Sequence, residues 1–518
     1  MTNFLNKLGL SGEDEKRPAL YAGTWYESEP GKLRSQLSRF LEHASKTLKT
    51  TPVDPSFEPS QKIDGNVLAI VAPHAGYMFS GQTAAFGYDA ASGSRKVRRV
   101  FLLGPSHYDG FDFVGLPTQK VFATPLGDLR VDTDLINELV CYPGFEMMSH
   151  VHTREHSLEM QLPLIREAFG DVKIVPLIVG LLNDFDELSL VAQILRRYIT
   201  PDDLVVVSSD FTHYGPRYDY IPFPGSVREN VRKLDEEAFS CLRKVDLNAF
   251  IEFKERTNDT ICGFYPCAML LAMLPEGSHA TLLNYRTSQD MRGEDDENSV
   301  SYLSIAFSNP ALPTGWPAAE SAELALNDVD RDHLLRVARQ ALDTHVREGR
   351  QITSSDVADL ITPVMKKKLG VFCTLYKRNI GHSTVHGDDR ELRGCVGYVF
   401  PVKPLVEAVI DNAIGAASRD HRFPSVSKDE LKDLQIDLNV LTRPKRTKSY
   451  KDIVIGRDGI ILYRLGRQAV FLPSVATEFG WNLEETLDQL AFKAGFRKED
   501  WKTQTYFDVF QSISVEEE

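Results

Sequence analysis

Three apolar runs in the first half of the chain each break off into a histidine motif. Val67 to Val71 leads into Ala72-Pro73-His74-Ala75-Gly76, Val100 to Leu103 into Gly104-Pro105-Ser106-His107, and Leu204 to Val207 into Ser208-Ser209-Asp210-Phe211-Thr212-His213. Helical patterns alternate with them, at Ser80 to about Ala90, Ser157 to Phe169 and Asp184 to Tyr198, beside a further strand-like run from Val172 to Val179. Continuous apolar runs separated by helical periodicity require βαβ units, so an α/β fold is expected, with a mostly parallel sheet covered by helices on both faces. In such a sheet the ligand crevice lies outside the carboxyl ends of the strands, and three polar tips delivered this way converge on one site. One histidine at a strand end is usually a hydrogen-bonded structural residue. Three at equivalent places point to shared chemistry.

A chain of 518 residues exceeds one ordinary core and should divide. The clearest seam is Asn309-Pro310-Ala311-Leu312-Pro313-Thr314-Gly315-Trp316-Pro317, whose three prolines stop regular structure. We expect a first domain over 16–308, a linker over 309–326 and a second domain over 327–513. After the seam, an amphipathic helix from Arg331 to Glu348 precedes short strands near Gly370 to Tyr376 and Gln435 to Leu441. A helix from Pro404 to Ala417, a hairpin-like Ile453 to Leu462 and a helix from Leu483 to Gly495 complete a smaller α+β domain.

The net charge of −14 is unevenly placed: residues 327–518 balance 29 Lys and Arg against 29 Asp and Glu, so the acidic excess lies in the first half. That argues against a broad nucleic-acid or anionic-membrane surface, which needs clustered positive charge. The amino terminus, Met1 to Lys7, lacks a long apolar signal core, no membrane span is expected, and the expected location is cytoplasmic. Six scattered cysteines are too few for a disulfide framework in a chain of this length.

His74 and His107 offer imidazole nitrogens, the commonest donors to a transition metal. Cys262, in Asn258-Asp259-Thr260-Ile261-Cys262-Gly263, is the best third ligand, because a polar turn precedes it and a glycine follows. Thiolate beside two imidazoles suits iron(II), copper or zinc. Asp210 and His213 are candidates for orienting ligands or transferring protons, although Asp210 also suits a helix N-cap. In Glu155-His156-Ser157-Leu158-Glu159, His156 and Glu159 lie about one helical turn apart and both can address a crevice; a charged first turn favoured by the helix dipole is the plainer alternative. In the second domain, Leu392-Arg393-Gly394-Cys395-Val396-Gly397 reads as a turn in which Arg393 lowers the pKa of Cys395, with a buried structural cysteine equally open.

Taken in order, Ala22-Gly23-Thr24-Trp25-Tyr26, the His74, His107 and Glu155–Glu159 motifs, Ser208-Ser209-Asp210-Phe211 with His213, and Asn258 to Gly263 resemble the Memo family over roughly residues 16–308. The resemblance implies the fold of class III, LigB-type extradiol dioxygenases and a metal on His74, His107 and Cys262. Cysteine replaces the dioxygenases' glutamate ligand, which puts ring-cleaving dioxygenation in doubt. Ala416 to Pro424, with Val470-Phe471-Leu472-Pro473, Gly480-Trp481 and Lys493-Ala494-Gly495, resembles the AMMECR family over roughly residues 327–513. The fusion is similar to the AmmeMemoRadiSam system and implies a radical S-adenosylmethionine partner protein; this chain carries no C-x₃-C-x₂-C cluster motif of its own. The leading expectation is a metal-dependent redox or oxygen-activating protein acting on a small molecule or peptide. Asp210, His213 and Cys395 are its candidate catalytic residues, and His156, Glu159 and Arg393 its candidate substrate- or cofactor-binding residues. A peptide-binding adaptor, in which Trp25 and Tyr26 line the crevice, and a zinc hydrolase are the alternatives.

Overall fold

A computed structural model describes residues 15–50, 63–182, 185–292, 297–317, 324–378 and 390–517. The chain forms two compact units, 1–319 and 320–518.

The centre of the first unit is four parallel strands: β1 Val67–Ala72, β2 Arg99–Pro105, β3 Lys173–Val179 and β4 Asp203–Ser208, in the spatial order β3-β2-β4-β1. Every residue of β1 and β4 is buried, as expected of apolar runs covered on both faces. Ser299–Ser308 pairs antiparallel with the free side of β1, and His279–Thr287 pairs antiparallel with it in turn. The register sets the function of the sheet. Ala72 lies opposite Ser208 and Leu103 opposite Val207, so β1, β4 and β2 end level and their exit loops leave side by side. The mostly parallel sheet with flanking helices is thus the one the apolar runs require.

The helical run expected over Ser157–Phe169 is two helices, His156–Glu159 and Leu162–Phe169, with Pro163 in the first turn of the second. Proline has no N–H to give to the preceding turn, so the chain breaks at Met160 and Gln161 and restarts.

The proline-rich stretch differs more from its expectation. Residues 318–323 lie outside the described residues, but 309–317 pack into the first unit rather than forming a free linker. Trp316 is fully buried, its indole N–H donates to the Leu68 carbonyl at 2.8 Å, and the Arg196 guanidinium lies 5.3 Å from its ring. The Asn309 amide donates to Glu276 O and Ser278 Oγ at 2.9 and 3.3 Å. Proline stops regular structure but does not stop burial.

The second unit holds two four-stranded antiparallel sheets. The first runs Arg390–Tyr398, Gly370–Arg378, Leu434–Leu441, Ser512–Glu516, and the helices Asp328–Glu348 and Leu405–Ser418 contribute to its core. The second runs Lys445–Arg446, Tyr506–Phe510, Gly459–Arg464, Arg467–Phe471, with the helix Leu483–Lys493 in its core. Two expectations are corrected here. The hairpin lies at 459–471 rather than 453–462, because Leu465 and Gly466 both take positive φ and form the tight connection. Arg393-Gly394-Cys395 is mid-strand, not a turn.

The packing of Trp316 makes a direct test. Trp316→Ala should cost the first unit about 3–5 kcal/mol in urea unfolding of the full chain, the range for a buried tryptophan, whereas an exposed linker residue would change stability by about 0.5 kcal/mol or less.

Candidate metal centre

The loops after β1 and β2 bring His74 and His107 together at the carboxyl edge of the sheet, and Cys262 approaches from the loop before the helix Phe264–Met273. The ligand atoms of these three residues all lie within 4.8 Å of one another. Cys262 Sγ is 3.3 Å from His74 Nε2 and accepts the Asp210 N–H at 3.2 Å. Gly263 permits this approach: a Cβ there would sit 2.4 Å from the Ser209 side chain, while its N–H donates to Ser209 Oγ at 3.0 Å.

Buried hydrogen bonds fix the tautomers of both imidazoles. Ser208 Oγ has one proton, which goes to the Ser157 carbonyl at 2.6 Å, and it also accepts from the Gln161 amide at 2.8 Å. Toward His74 Nδ1, 2.9 Å away, Ser208 therefore accepts. His74 must carry its proton on Nδ1 and turn a bare Nε2 toward Cys262. Glu155 does the same for His107. One carboxylate oxygen lies 2.8 Å from His107 Nδ1 and takes the Ser157 N–H at 2.9 Å, and the other takes the His107 backbone N–H at 2.8 Å. Burial resists ionisation of Glu155, but these bonds outweigh it and hold the carboxyl below its ordinary range. Burial and the neighbouring imidazoles hold His74 well below its usual value, and burial with the nearby Asp210 charge pushes the Cys262 thiol well up. Two imidazoles with outward Nε2 lone pairs and one sulfur form a donor set that fits a divalent transition metal.

A cavity of about 800 Å³ opens on this group, and Trp25, His74, His107, His156, Asp210 and His213 all line it. Asp210 Oδ1 accepts the His74 backbone N–H at 2.8 Å, and burial lifts its carboxyl to about 7. The residues directly after Asp210 lead into the short strand His213–Tyr214 rather than a helix, which removes the N-cap alternative. His213 Nδ1 lies 3.0 Å from the Thr260 carbonyl and must donate to it, which leaves Nε2 facing the cavity; burial lowers this imidazole to about 4. His156 stands between His107, at a ring separation of 4.3 Å, and Trp25, at 4.7 Å, and burial likewise lowers it to about 4.

Glu159 is placed differently. It is fully buried, pairs with Arg17 at 2.5 Å, and accepts from the backbone of Leu20 and Tyr21 and from the Tyr26 hydroxyl at 3.1, 2.7 and 2.8 Å. It anchors the segment that carries Trp25 and does not line the cavity. Glu155, which reasoning from sequence passed over, holds His107 instead. Its signal was there: an acid at the head of the short helix, four residues before the more conspicuous one.

In the second unit, both Glu430 oxygens bind Arg393, through Nε at 2.8 Å and Nη2 at 3.2 Å, so its fork is turned away from the thiol. Burial raises the Cys395 thiol, and Thr374 donates to its sulfur at 3.2 Å, so the expected activation by Arg393 is absent. Gly394 explains the strand: a Cβ there would come within 2.1 Å of the Ala416 carbonyl. Asp420 accepts the Cys395 N–H at 2.8 Å and pairs with Arg422 at 2.7 Å.

Residues 17–306 match the family of Memo-like protein, and residues 335–515 match AMMECR1. The chain is similar to "Protein memo-1 homolog" of Caenorhabditis elegans, 32% identical over 59% of this chain and 86% of that one. It is similar to "Protein MEMO1" of Homo sapiens, 33% identical over 56% of this chain and 97% of the relative. Among solved structures, the uncharacterized protein PH0010 from Pyrococcus horikoshii is 35% identical and covers 36% of this chain and 90% of its own, with a TM-score of 0.33.

The two glutamates of one short helix should separate cleanly on mutation. Glu155→Gln should weaken zinc binding, measured by chelator competition, by roughly tenfold to a hundredfold with little change in stability. Glu159→Ala leaves the Arg17 charge buried alone and should cost about 3–5 kcal/mol in unfolding free energy.

Proposed function

Because the chain belongs to the Memo-like protein family and carries an AMMECR1 domain after it, we propose that its first unit is a metal-dependent redox or oxygen-activating protein with the metal on His74, His107 and Cys262. The observation that carries this reading is the pair of fixed tautomers: Ser208 and Glu155 take up the Nδ1 protons, so both Nε2 lone pairs are available beside a cysteine sulfur. Iron suits such a site best in our reading, copper next, and zinc is the third choice. Bound there, the metal supplies Lewis acidity and, for iron or copper, electron transfer.

The remaining roles belong to the protein. Asp210 holds the His74 loop through its backbone N–H and presents a carboxylate to the cavity, and His213 presents a bare Nε2 from the same exit loop. Together they are placed to orient a substrate and to hold or pass a proton. Trp25, tilted against His156, gives one wall an apolar face against which an organic substrate, small molecule or peptide, excludes water. No helix among the described residues is long and apolar enough to cross a membrane. We place the protein in the cytoplasm, where a thiol donor stays reduced. The fusion with an AMMECR1 domain supports a joint pathway with a radical S-adenosylmethionine partner protein. In that pathway we read the second unit mainly as a binding module, since its Arg393 and Cys395 are held by internal contacts.

Metal analysis after anaerobic purification tests the assignment. The expected result is one iron or copper per chain, with a sulfur-to-metal charge-transfer band that Cys262→Ala abolishes. That variant should lose affinity by more than the roughly tenfold to hundredfold that an outer partner costs. Tight zinc in place of iron would move the reading to a hydrolase. A site that takes up no metal under any loading condition would overturn it and favour the adaptor.

A further inference from the structure

A second cavity, of about 280 Å³, lies beside the donor group, bounded by the loop after β2, the loop after β3 and the start of the Cys262 helix. The two cavities divide the donors between them. His74 lines only the larger, Cys262 lines only the smaller, and His107 lines both. The three donors are therefore a partition, reached from two sides.

The walls differ in chemistry as well as size. Among the described residues no lysine or arginine lines the smaller cavity, and the one carboxylate among them, Asp109, is paired with Arg154 at 3.1 Å. Without a free lysine or arginine it offers an anion little, and at about a third of the larger cavity's volume it suits the smaller reactant. Pro105, Val179, Leu181 and Pro266 give it apolar surface, which suits a small solute without charge. The larger cavity, with its aromatic wall, Asp210 and His213, suits the bulkier reactant.

We propose that the smaller cavity is a second access to the metal donors, admitting a small uncharged molecule of a few heavy atoms to the Cys262 side while the organic substrate occupies the His74 side. This rests on the metal reading for its purpose, but the access itself is a property of the protein without metal and is tested there. Methyl methanethiosulfonate, small and uncharged, is the probe; its adduct on Cys262 is followed by peptide mass spectrometry in the full-length metal-free protein, with buried Cys267 as the internal control.

Leu181 is 54% exposed and Gly110 has no atom within 4 Å of where a Cβ would stand, so Leu181→Trp and Gly110→Trp each narrow the smaller cavity without disturbing a core. Met78, 69% exposed on the larger cavity, supplies the opposite variant, Met78→Trp. Either smaller-cavity variant should slow labelling of Cys262 by about tenfold or more, and Met78→Trp should leave it within about twofold, because the substitutions change access to the thiol and not the groups that set its pKa. Slowing by Met78→Trp alone, equal effects in all three variants, or no labelling of Cys262 in the parent protein would overturn the proposal. Failure of the metal reading has a separate signature, since the parent protein would then take up no metal whatever its labelling pattern.

Discussion

Residues 155–159 have to stay buried with every polar group satisfied, and the site in the first unit depends on that five-residue turn. Glu155 holds His107, the Ser157 carbonyl takes the Ser208 proton and thereby sets the tautomer of His74, and Glu159 binds Arg17 and the backbone that leads to Trp25. The turn can lie this close to β2 because position 104 is glycine; a Cβ there would be 2.7 Å from both Ser157 Oγ and Leu158 Cδ2. Two candidate ligands, one wall of the cavity and the segment from Arg17 to Trp25 are thus coupled through one short helix. Buried polar groups carry a large penalty when unpaired, so the arrangement is stable only when all of its partners are in place.

The sheet and the donors were legible because their determinants are local in sequence. Apolar runs of strand length with helices between them leave few alternatives to a parallel sheet, and a motif that follows directly on such a run must emerge at its carboxyl edge. His74, His107 and the Asp210–His213 loop needed no more than that. Cys262 was harder, since no strand delivers it, and a glycine after it was the only local hint of the close approach to Ser209.

What sequence did not convey was which of several polar groups faces inward to a ligand and which faces a structural partner. Glu155 and Glu159 are both acids on one short helix, and only the positions of His107 and Arg17, 48 and 142 residues away, separate their roles. Ser208 looked like the end of a strand. The proline-rich segment failed for a related reason: proline reports on backbone regularity, whereas the burial of Trp316 is decided by a distant carbonyl at Leu68 and the cation of Arg196. Long-range pairing of this kind leaves no periodic trace.

The two units differ in what their polar groups have left to offer. In the second, Glu430 takes the Arg393 fork, Asp420 closes over both the Cys395 N–H and Arg422, and Asp411 collects Lys403 and Arg419. These contacts hold a strand, a helix end and a loop together, and a thiol raised by burial beside them is a poor nucleophile. In the first unit the same kind of buried bonding has the opposite result, because each bond at Nδ1 leaves the other nitrogen of the ring bare. Saturating one side of an imidazole is how a protein directs the other side at a ligand. His74, His107 and His213 are all treated in this way on three adjacent strand exits, and that repetition sets the site apart from ordinary hydrogen-bonded histidines at strand ends.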